Sequence, residues 1–250
     1  MTAESPTSVS AHQAAVEYFR QILLGDGGKD RIAKLILFGS AARGEATPES
    51  DVDLLVLATD DLDEVSQACA EASLRTAVEM HISVEPLVYC LDQLRQPHSL
   101  FVANAIATGK EIYSMAEPDL SRAEARGFLN LAQIYREGAE RALATGDPRI
   151  AVDLAYNAAE LCVKGLLVLR GESIPRTHAG VITRFGELFV RQGLISETVG
   201  RDLHLGLERR NKARYDWHAE ISERDATGSI AVARVLGEHL DALLSEASSG

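Results

Sequence analysis

The sequence predicts an α+β chain in two parts: an N-terminal α/β domain over residues 1–116 and a C-terminal all-α antiparallel helical bundle over residues 117–250. Three observations predict it. Short apolar runs alternate with helical stretches as far as Ser114, the pattern of strands interleaved with helices. Strand signals vanish from Asp119 onward, where five helical segments follow one another through short connections, most economically packed as an antiparallel bundle. Between the two lies MAEPD at 115–119, with the proline expected of a boundary.

The elements follow in order. Residues 8–24 place Val16, Phe19 and Leu23 on one stripe of an amphipathic helix, which GDGGKD at 25–30 breaks. AKLILFGS at 33–40 is long enough for a buried strand and too short for a helix, and DVDLLVLA at 51–58 repeats the pattern. Residues 62–80 are helical in spacing, HISVEPLVY at 81–89 gives a third strand, and two short helical pieces lead to GKEIYS at 109–114. In the second part, Ser121 and Glu124 have capping-box spacing at the head of a helix ending near Thr145. Further helices are expected at 149–170, 180–192, 197–213 and 229–246.

Composition bounds the function classes. No run of 18 apolar residues exists, which excludes a conventional membrane span. The N-terminus lacks the basic start and apolar stretch of a signal peptide. Three scattered cysteines, Cys69, Cys90 and Cys162, form no CxxC pair and suit a reducing cytoplasm. A net charge of -12 argues against non-specific binding to nucleic acid. The acidity is concentrated in residues 1–116, with 8 Lys/Arg against 17 Asp/Glu.

The informative segment is LILFGSAARGEATPESDVDLLVL at 35–57. Gly39 and Ser40 end one apolar run, and ten residues later Asp51 and Asp53 open the next. Residues i and i+2 of a strand point to one face, so the pair presents two carboxylates side by side, a site for hard divalent cations such as Mg²⁺. Such a like-charge pair is costly by itself and is relieved by metal. Gly39 permits close backbone approach to a phosphate, the Ser40 hydroxyl can bond it, and Arg43 adds positive charge.

The conjunction of strand, Gly-Ser, ten residues and Asp-x-Asp resembles the signature of minimal nucleotidyltransferases of the DNA polymerase β superfamily. The likeness covers about residues 30–114 and includes Gly109, Ile112 and Tyr113 of a late G-x-x-apolar-Y stretch. It implies a polymerase-β-like α/β domain in which Asp51 and Asp53 bind two Mg²⁺ ions, with Glu85 as third carboxylate, metal ligand or general base. Gly39, Ser40, Arg43 and Ser50 would hold the nucleoside triphosphate, ATP by default, while an acceptor hydroxyl attacks the α-phosphorus and pyrophosphate leaves.

The second part has one concentrated polar spot, ERRNKARYDWH at 208–218. Arg209, Arg210, Lys212 and Arg214 precede Tyr215, Trp217 and His218; cations suit the last turn of a helix, and the mixture also suits a phosphate- or RNA-contacting surface. Residues 118–246 resemble the HEPN superfamily of helical bundles, in the branch carrying R-x4-Y, here Arg210, Asn211, Arg214 and Tyr215 of RNKARY, with AYNAAELCVKGLLVLRG at 155–171 and THAG at 177–180. HEPN ribonucleases use R-x4–6-H. His218 comes one residue late from Arg210, so ribonuclease activity and an RNA partner are not favoured. His178 is expected to serve a local turn or packing role.

Together the resemblances imply transfer of a nucleoside monophosphate, AMP from ATP, to an acceptor hydroxyl. In toxin–antitoxin pairs of this kind the acceptor is a tyrosine of the HEPN partner, which makes Tyr215 a candidate. The alternatives are a small-molecule adenylyltransferase of the aminoglycoside-modifying type and a non-catalytic regulatory or RNA-binding fusion. A homodimer is expected under each, since HEPN bundles often pair, and no membrane partner is expected.

Overall fold

Leucine- and valine-rich runs of seven residues form strands in the first half because their side chains fill the pleated surface on both faces. The structure, a computed structural model, describes residues 8–25 and 28–246 and divides into two units, Met1–Leu120 and Ser121–Gly250. The N-terminal residues 1–7, on which the signal-peptide reading partly rests, lie outside the described residues.

The first unit runs α1 (Ser8–Gly25), β1 (Ile32–Phe38), α2 (Gly39–Arg43), β2 (Val52–Ala58), α3 (Leu62–Met80), β3 (Val84–Cys90), α4 (Leu100–Thr108) and β4 (Lys110–Ser114). The sheet order is β3-β2-β1-β4. β1 pairs antiparallel with β2 and with β4, whereas β3 lies parallel to β2 after the α3 crossover. Leu35 and Leu37 of β1 and Val52, Leu54 and Val56 of β2 face a core built with Val16, Phe19 and Leu23 of α1 and Val65, Cys69 and Ala72 of α3. Fully burying each large side chain there contributes about 1.5–3 kcal/mol. Phe38 points to the other face, where its ring meets Phe101 of α4 edge-on at 5.4 Å.

Local chemistry sets the boundaries. Asp61 caps α3 by accepting from the Glu64 amide at 3.1 Å, and His81 ends it in the left-handed region at φ 54. β3 therefore starts at Val84, three residues after the expected His81. The GKEIYS segment, which carried no strand expectation, supplies β4 and closes the sheet against β1. Gly109 joins α4 to β4 under tight spacing: a Cβ there would stand 2.4 Å from the Ala105 carbonyl oxygen and 2.4 Å from Ile36 Cγ2.

The second unit contains α5 (Glu117–Ala144), α6 (Pro148–Leu169), α7 (His178–Phe185) with a π-helical continuation over Gly186–Val190, α8 (Glu197–Tyr215) and α9 (Glu223–Glu246). α5 starts a full turn before the expected Ser121. Pro118 sits in its first turn, where a missing N–H costs nothing, and Glu117 and Asp119 complement the helix dipole. The proline thus opens a helix, and the division between units falls inside α5. α9 also starts early, at Glu223 in place of 229, because Ser222 and Asp225 cap it reciprocally: the Asp225 amide donates to Ser222 Oγ at 3.2 Å and the Ser222 amide to Asp225 Oδ2 at 3.1 Å. α6 is the buried centre, with Val163, Leu166 and Leu167 inaccessible and Gly165 admitting Leu240 of α9 so closely that a Cβ would lie 2.6 Å from its Cδ2. No helix among the described residues is long and apolar enough to cross a membrane.

Gly109→Ala is expected to destabilise the protein by about 1–3 kcal/mol through overpacking against backbone, measured as a lower urea midpoint at unchanged m-value.

Candidate active site

The Gly-Ser turn and the aspartates meet at one end of the central strand pair. Phe38, the last residue of β1, is the antiparallel partner of Asp53, which brings the start of α2 against the Asp53 side chain. Gly39 adopts φ +71 there, and a Cβ on it would lie 2.0 Å from Asp53 Oδ2. Only glycine fits, for both the backbone conformation and the space. Asp51 stands just outside β2 and is exposed, with Asp53 half-buried at the second strand position. Burial raises the Asp53 carboxyl above the usual aspartate range, the neighbouring Asp51 charge raises it further, and Arg43 opposes both. Neither carboxylate hydrogen-bonds or ion-pairs with another side chain among the described residues.

The other predicted site residues are placed as follows. Glu85 is the register partner of Asp53 in the parallel pair, so it occupies the same face one strand over. Among the described residues no three His, Cys, Asp or Glu side chains converge closely enough to hold a metal ion, so Glu85 shares the face without closing a three-carboxylate cage. Arg43, exposed, pairs with Glu45 Oε2 at 2.6 Å. Ser40 is the second residue of α2, and its carbonyl accepts from the Glu45 amide at 3.0 Å. The Ser50 hydroxyl is occupied inside its own loop, accepting from the Thr47 amide at 2.9 Å and lying 3.1 Å from Thr47 Oγ1. A cleft of about 540 Å³ between α3 and the β3 edge includes Glu85, Ser66 and Leu87 but neither aspartate.

The aspartate pair fits a divalent cation on chemical grounds. Two hard oxygen donors stand close enough for the Asp51 charge to add to the elevation of Asp53, and that elevation is a cost that a cation would remove. The Gly39 cradle fixes the Asp53 carboxylate where the Ser40 and Arg43 backbone turns.

The second unit carries a polar seam that the sequence reading largely missed. Glu160 of α6 is 5% exposed. Tyr156 Oη donates to its Oε2 at 2.8 Å, Lys164 Nζ lies 2.7 Å from its Oε1, and His178 Nδ1 contacts Oε2. Burial pushes the Glu160 carboxyl up, but bonds from Lys164, His178 and Tyr156 bring it below the ordinary glutamate range. His178 therefore reaches across to α6, while Thr177 caps α7 by accepting from Gly180 N at 3.1 Å. Asp153, two turns earlier than Glu160 on α6, faces Arg210 Nε at 3.3 Å and Arg214 Nη2 at 3.0 Å. The signal available in sequence was the charge spacing Asp153, Glu160, Lys164 along one stripe of an otherwise apolar helix.

The predicted Arg210, Asn211, Arg214 and Tyr215 sit at the end of α8. Arg210 is 5% exposed, donates to Asn211 Oδ1 at 3.1 Å, and lies 5.9 Å over the Tyr215 ring. Arg149 bonds the carbonyls of Ala213, Asp216 and Ala219, which fixes the chain after Tyr215. Tyr215 and Trp217 are 72% and 89% exposed. Arg209 pairs with Asp225 at 3.0 Å, so three of the four clustered cations are ion-paired with two acids of the bundle, Asp225 and the shared Asp153.

Two outcomes follow from these environments. Asp53→Asn should raise the Tm of the metal-free protein at neutral pH by up to ~3 °C, because the mutation removes a carboxylate whose native pKa is elevated. The gain should shrink as pH falls through Asp53's elevated native value and vanish below the ordinary aspartate range, where native and unfolded chains both hold the proton; scanning calorimetry between pH 3 and 8 measures it. Glu160→Ala should cost about 3 kcal/mol at neutral pH by leaving Lys164 and the Tyr156 hydroxyl without their partner. Its pKa is depressed, so the wild-type advantage is present above the ordinary glutamate range and disappears as pH falls through the native value, which urea melts at several pH values would trace.

Comparison with known proteins agrees with this division. Residues 27–118 match the family model described as Polymerase beta, Nucleotidyltransferase, and residues 125–241 match the HEPN domain. Two Methanocaldococcus jannaschii proteins, each named as a putative protein adenylyltransferase, are 44% identical over 57 residues and 40% identical over 63. These matches cover 23% and 24% of this chain, and the chain spans only 57% and 63% of the relatives' lengths. A crystal structure of spectinomycin adenyltransferase AAD(9) from Enterococcus faecialis with ATP and spectinomycin aligns over 92% of this chain and 99% of that one. Its identity of 12% and TM-score of 0.30 are too slight to carry an argument. The chain is a fusion of a polymerase-β-type nucleotidyltransferase domain with a HEPN domain.

Proposed function

We propose that this protein is a metal-dependent adenylyltransferase that moves AMP from ATP to an acceptor hydroxyl, with Tyr215 of its own HEPN domain as acceptor, in cis or on a second copy. The observation that carries the transfer reading is the Asp51–Asp53 pair set against Gly39, with Asp53 raised by burial and by its neighbour. The matched nucleotidyltransferase domain and the names of the two archaeal relatives support it. A cytoplasmic setting accords with the free thiols Cys69, Cys90 and Cys162.

In this reading Asp51 and Asp53 hold the cations, with Glu85 drawn in from the adjacent strand. Bound Mg²⁺ would neutralise the triphosphate and lower the pKa of the attacking hydroxyl. Arg43 exchanges Glu45 for phosphate oxygens, and the Ser40 hydroxyl bonds them. The acceptor oxygen attacks the α-phosphorus, its proton passes to a carboxylate, and pyrophosphate leaves with the bond to the α-phosphorus broken. Tyr215 suits the acceptor role because it is 72% exposed on a chain segment fixed by Arg149. Pairing of Arg209, Arg210 and Arg214 with acids makes an RNA-binding surface the poorer use of the same segment.

Incubation with α-labelled ATP and Mg²⁺ tests this. Wild-type protein should acquire label, Asp53→Ala should lose it by at least ~100-fold, and Tyr215→Phe should remove it with the fold intact. Label that persists in Tyr215→Phe would move the acceptor elsewhere. Absence of transfer from the wild type to itself, together with turnover on an added aminocyclitol or aminoglycoside, would favour the small-molecule reading.

A further inference from the structure

A buried histidine stands behind the metal-binding loop. His12 lies on the apolar stripe of α1 with Ala15, Phe19 and Leu23 and is only 3% exposed. Its Nε2 is 2.8 Å from the Ser50 carbonyl oxygen, 38 residues away in sequence. A carbonyl only accepts, so Nε2 carries the hydrogen. The bonded carbonyl belongs to the peptide whose nitrogen is that of Asp51. On the other side of Asp51, the Val52 amide donates to the Ser83 carbonyl at 2.9 Å. Asp51 is thus clamped at both flanking peptides while its own carboxylate stays exposed.

The surrounding loop gives the clamp its significance. The Thr47–Ser50 turn is closed by bonds within itself: Ser50 N to the Thr47 carbonyl at 3.0 Å, and Thr47 N to Ser50 Oγ at 2.9 Å. Those bonds shape the turn but do not orient it against the sheet. Gly44 to Glu49 are mostly exposed. A side chain reaching from the interior of α1 supplies orientation. Packing alone would be better served by leucine or phenylalanine on this stripe, since a buried imidazole must find a polar partner.

We propose that His12 is a positioning residue for the metal–nucleotide site: by holding the Ser50 carbonyl it sets the direction in which Asp51 presents its carboxylate beside Asp53. The proposal rests on the adenylyltransferase reading given above. Misplacing one carboxylate by about 1 Å would weaken the shared cation site and slow transfer by roughly 10–100-fold.

Three replacements separate positioning from packing. In His12→Gln the amide nitrogen stands the same number of bonds from Cα as Nε2 and keeps the donor. In His12→Asn it falls a bond short, and in His12→Phe the volume stays but the donor goes. Two readouts are taken on the full chain: hydrogen exchange at the Ser50 and Val52 amides without metal, and Mn·ATP affinity by calorimetry. The expected result is a loss of about tenfold in protection and affinity for Asn and Phe, recovery in Gln, and Tm changes that do not follow the same order. Should the Phe variant fail to fold, the Gln–Asn comparison decides alone. Equal exchange and affinity in Gln and Asn, or losses that follow Tm, overturn the proposal. Failure of the adenylyltransferase reading would show differently: Asp53→Ala would bind Mn·ATP as the wild type does, while the loop protection pattern among the His12 variants would still stand.

Discussion

Two carboxylates one residue apart, held against a backbone with no Cβ, are the constraint around which the first unit is organised. Left in water such a pair costs little; half-buried at a strand end it costs enough to raise Asp53. The cost persists because each contributing element is fixed by something else. Gly39 is fixed by the end of β1 and the turn into α2, Asp53 by its register with Phe38 and Glu85, and Asp51 by bonds to the peptides on either side of it. A smaller perturbation, such as a methyl group on Gly39, collides with Asp53 Oδ2 directly. The sheet therefore serves as a rigid frame for a locally unfavourable charge arrangement, the condition under which a perturbed carboxylate reads as functional.

How much of this was legible in sequence varied with the range of the interaction involved. The helix 62–80 was readable to the residue because its apolar period is a local signal. The Gly-Ser and Asp-x-Asp pieces were readable because their spacing is fixed by a strand, a turn and a strand. β4 escaped notice: KEIYS is short and polar, and it becomes a strand only because β1 offers it a free edge. The start of α5 was misplaced because Pro118 has two opposite local meanings, a breaker within a helix and a good first-turn residue, and flanking acids decide between them. His12 carries no signal in the sequence, since its partner lies 38 residues away and is a backbone carbonyl, invisible to any side-chain pattern.

The bundle illustrates the same limit from the other side. The run ERRNKARYDWH looks like a concentrated cationic surface when written in one line. Folded, Arg209 faces Asp225 while Arg210 and Arg214 share Asp153, so part of the charge is compensated inside the domain, and Lys212 and Arg214 stay exposed beside Tyr215 and Trp217. Sequence reports which charges exist; only packing reports which are compensated.

That distinction separates the two units functionally. In the bundle the buried carboxylate of Glu160 meets a tyrosine hydroxyl, an ammonium and an imidazole, and its pKa is lowered: the network is at rest and stabilises the fold. Beside β2 the aspartates have one opposing cation at a distance, Arg43, which is itself committed to Glu45, and Asp53 is raised. A folded chain lowers its free energy by satisfying polar groups wherever satisfaction does not conflict with another demand. Glu160 shows that this fold can assemble three partners around one buried acid. That no such set surrounds Asp51 and Asp53 among the described residues, although Lys and Arg are available elsewhere in the same domain, supports the proposed reading in which an outside cation would supply the missing partner.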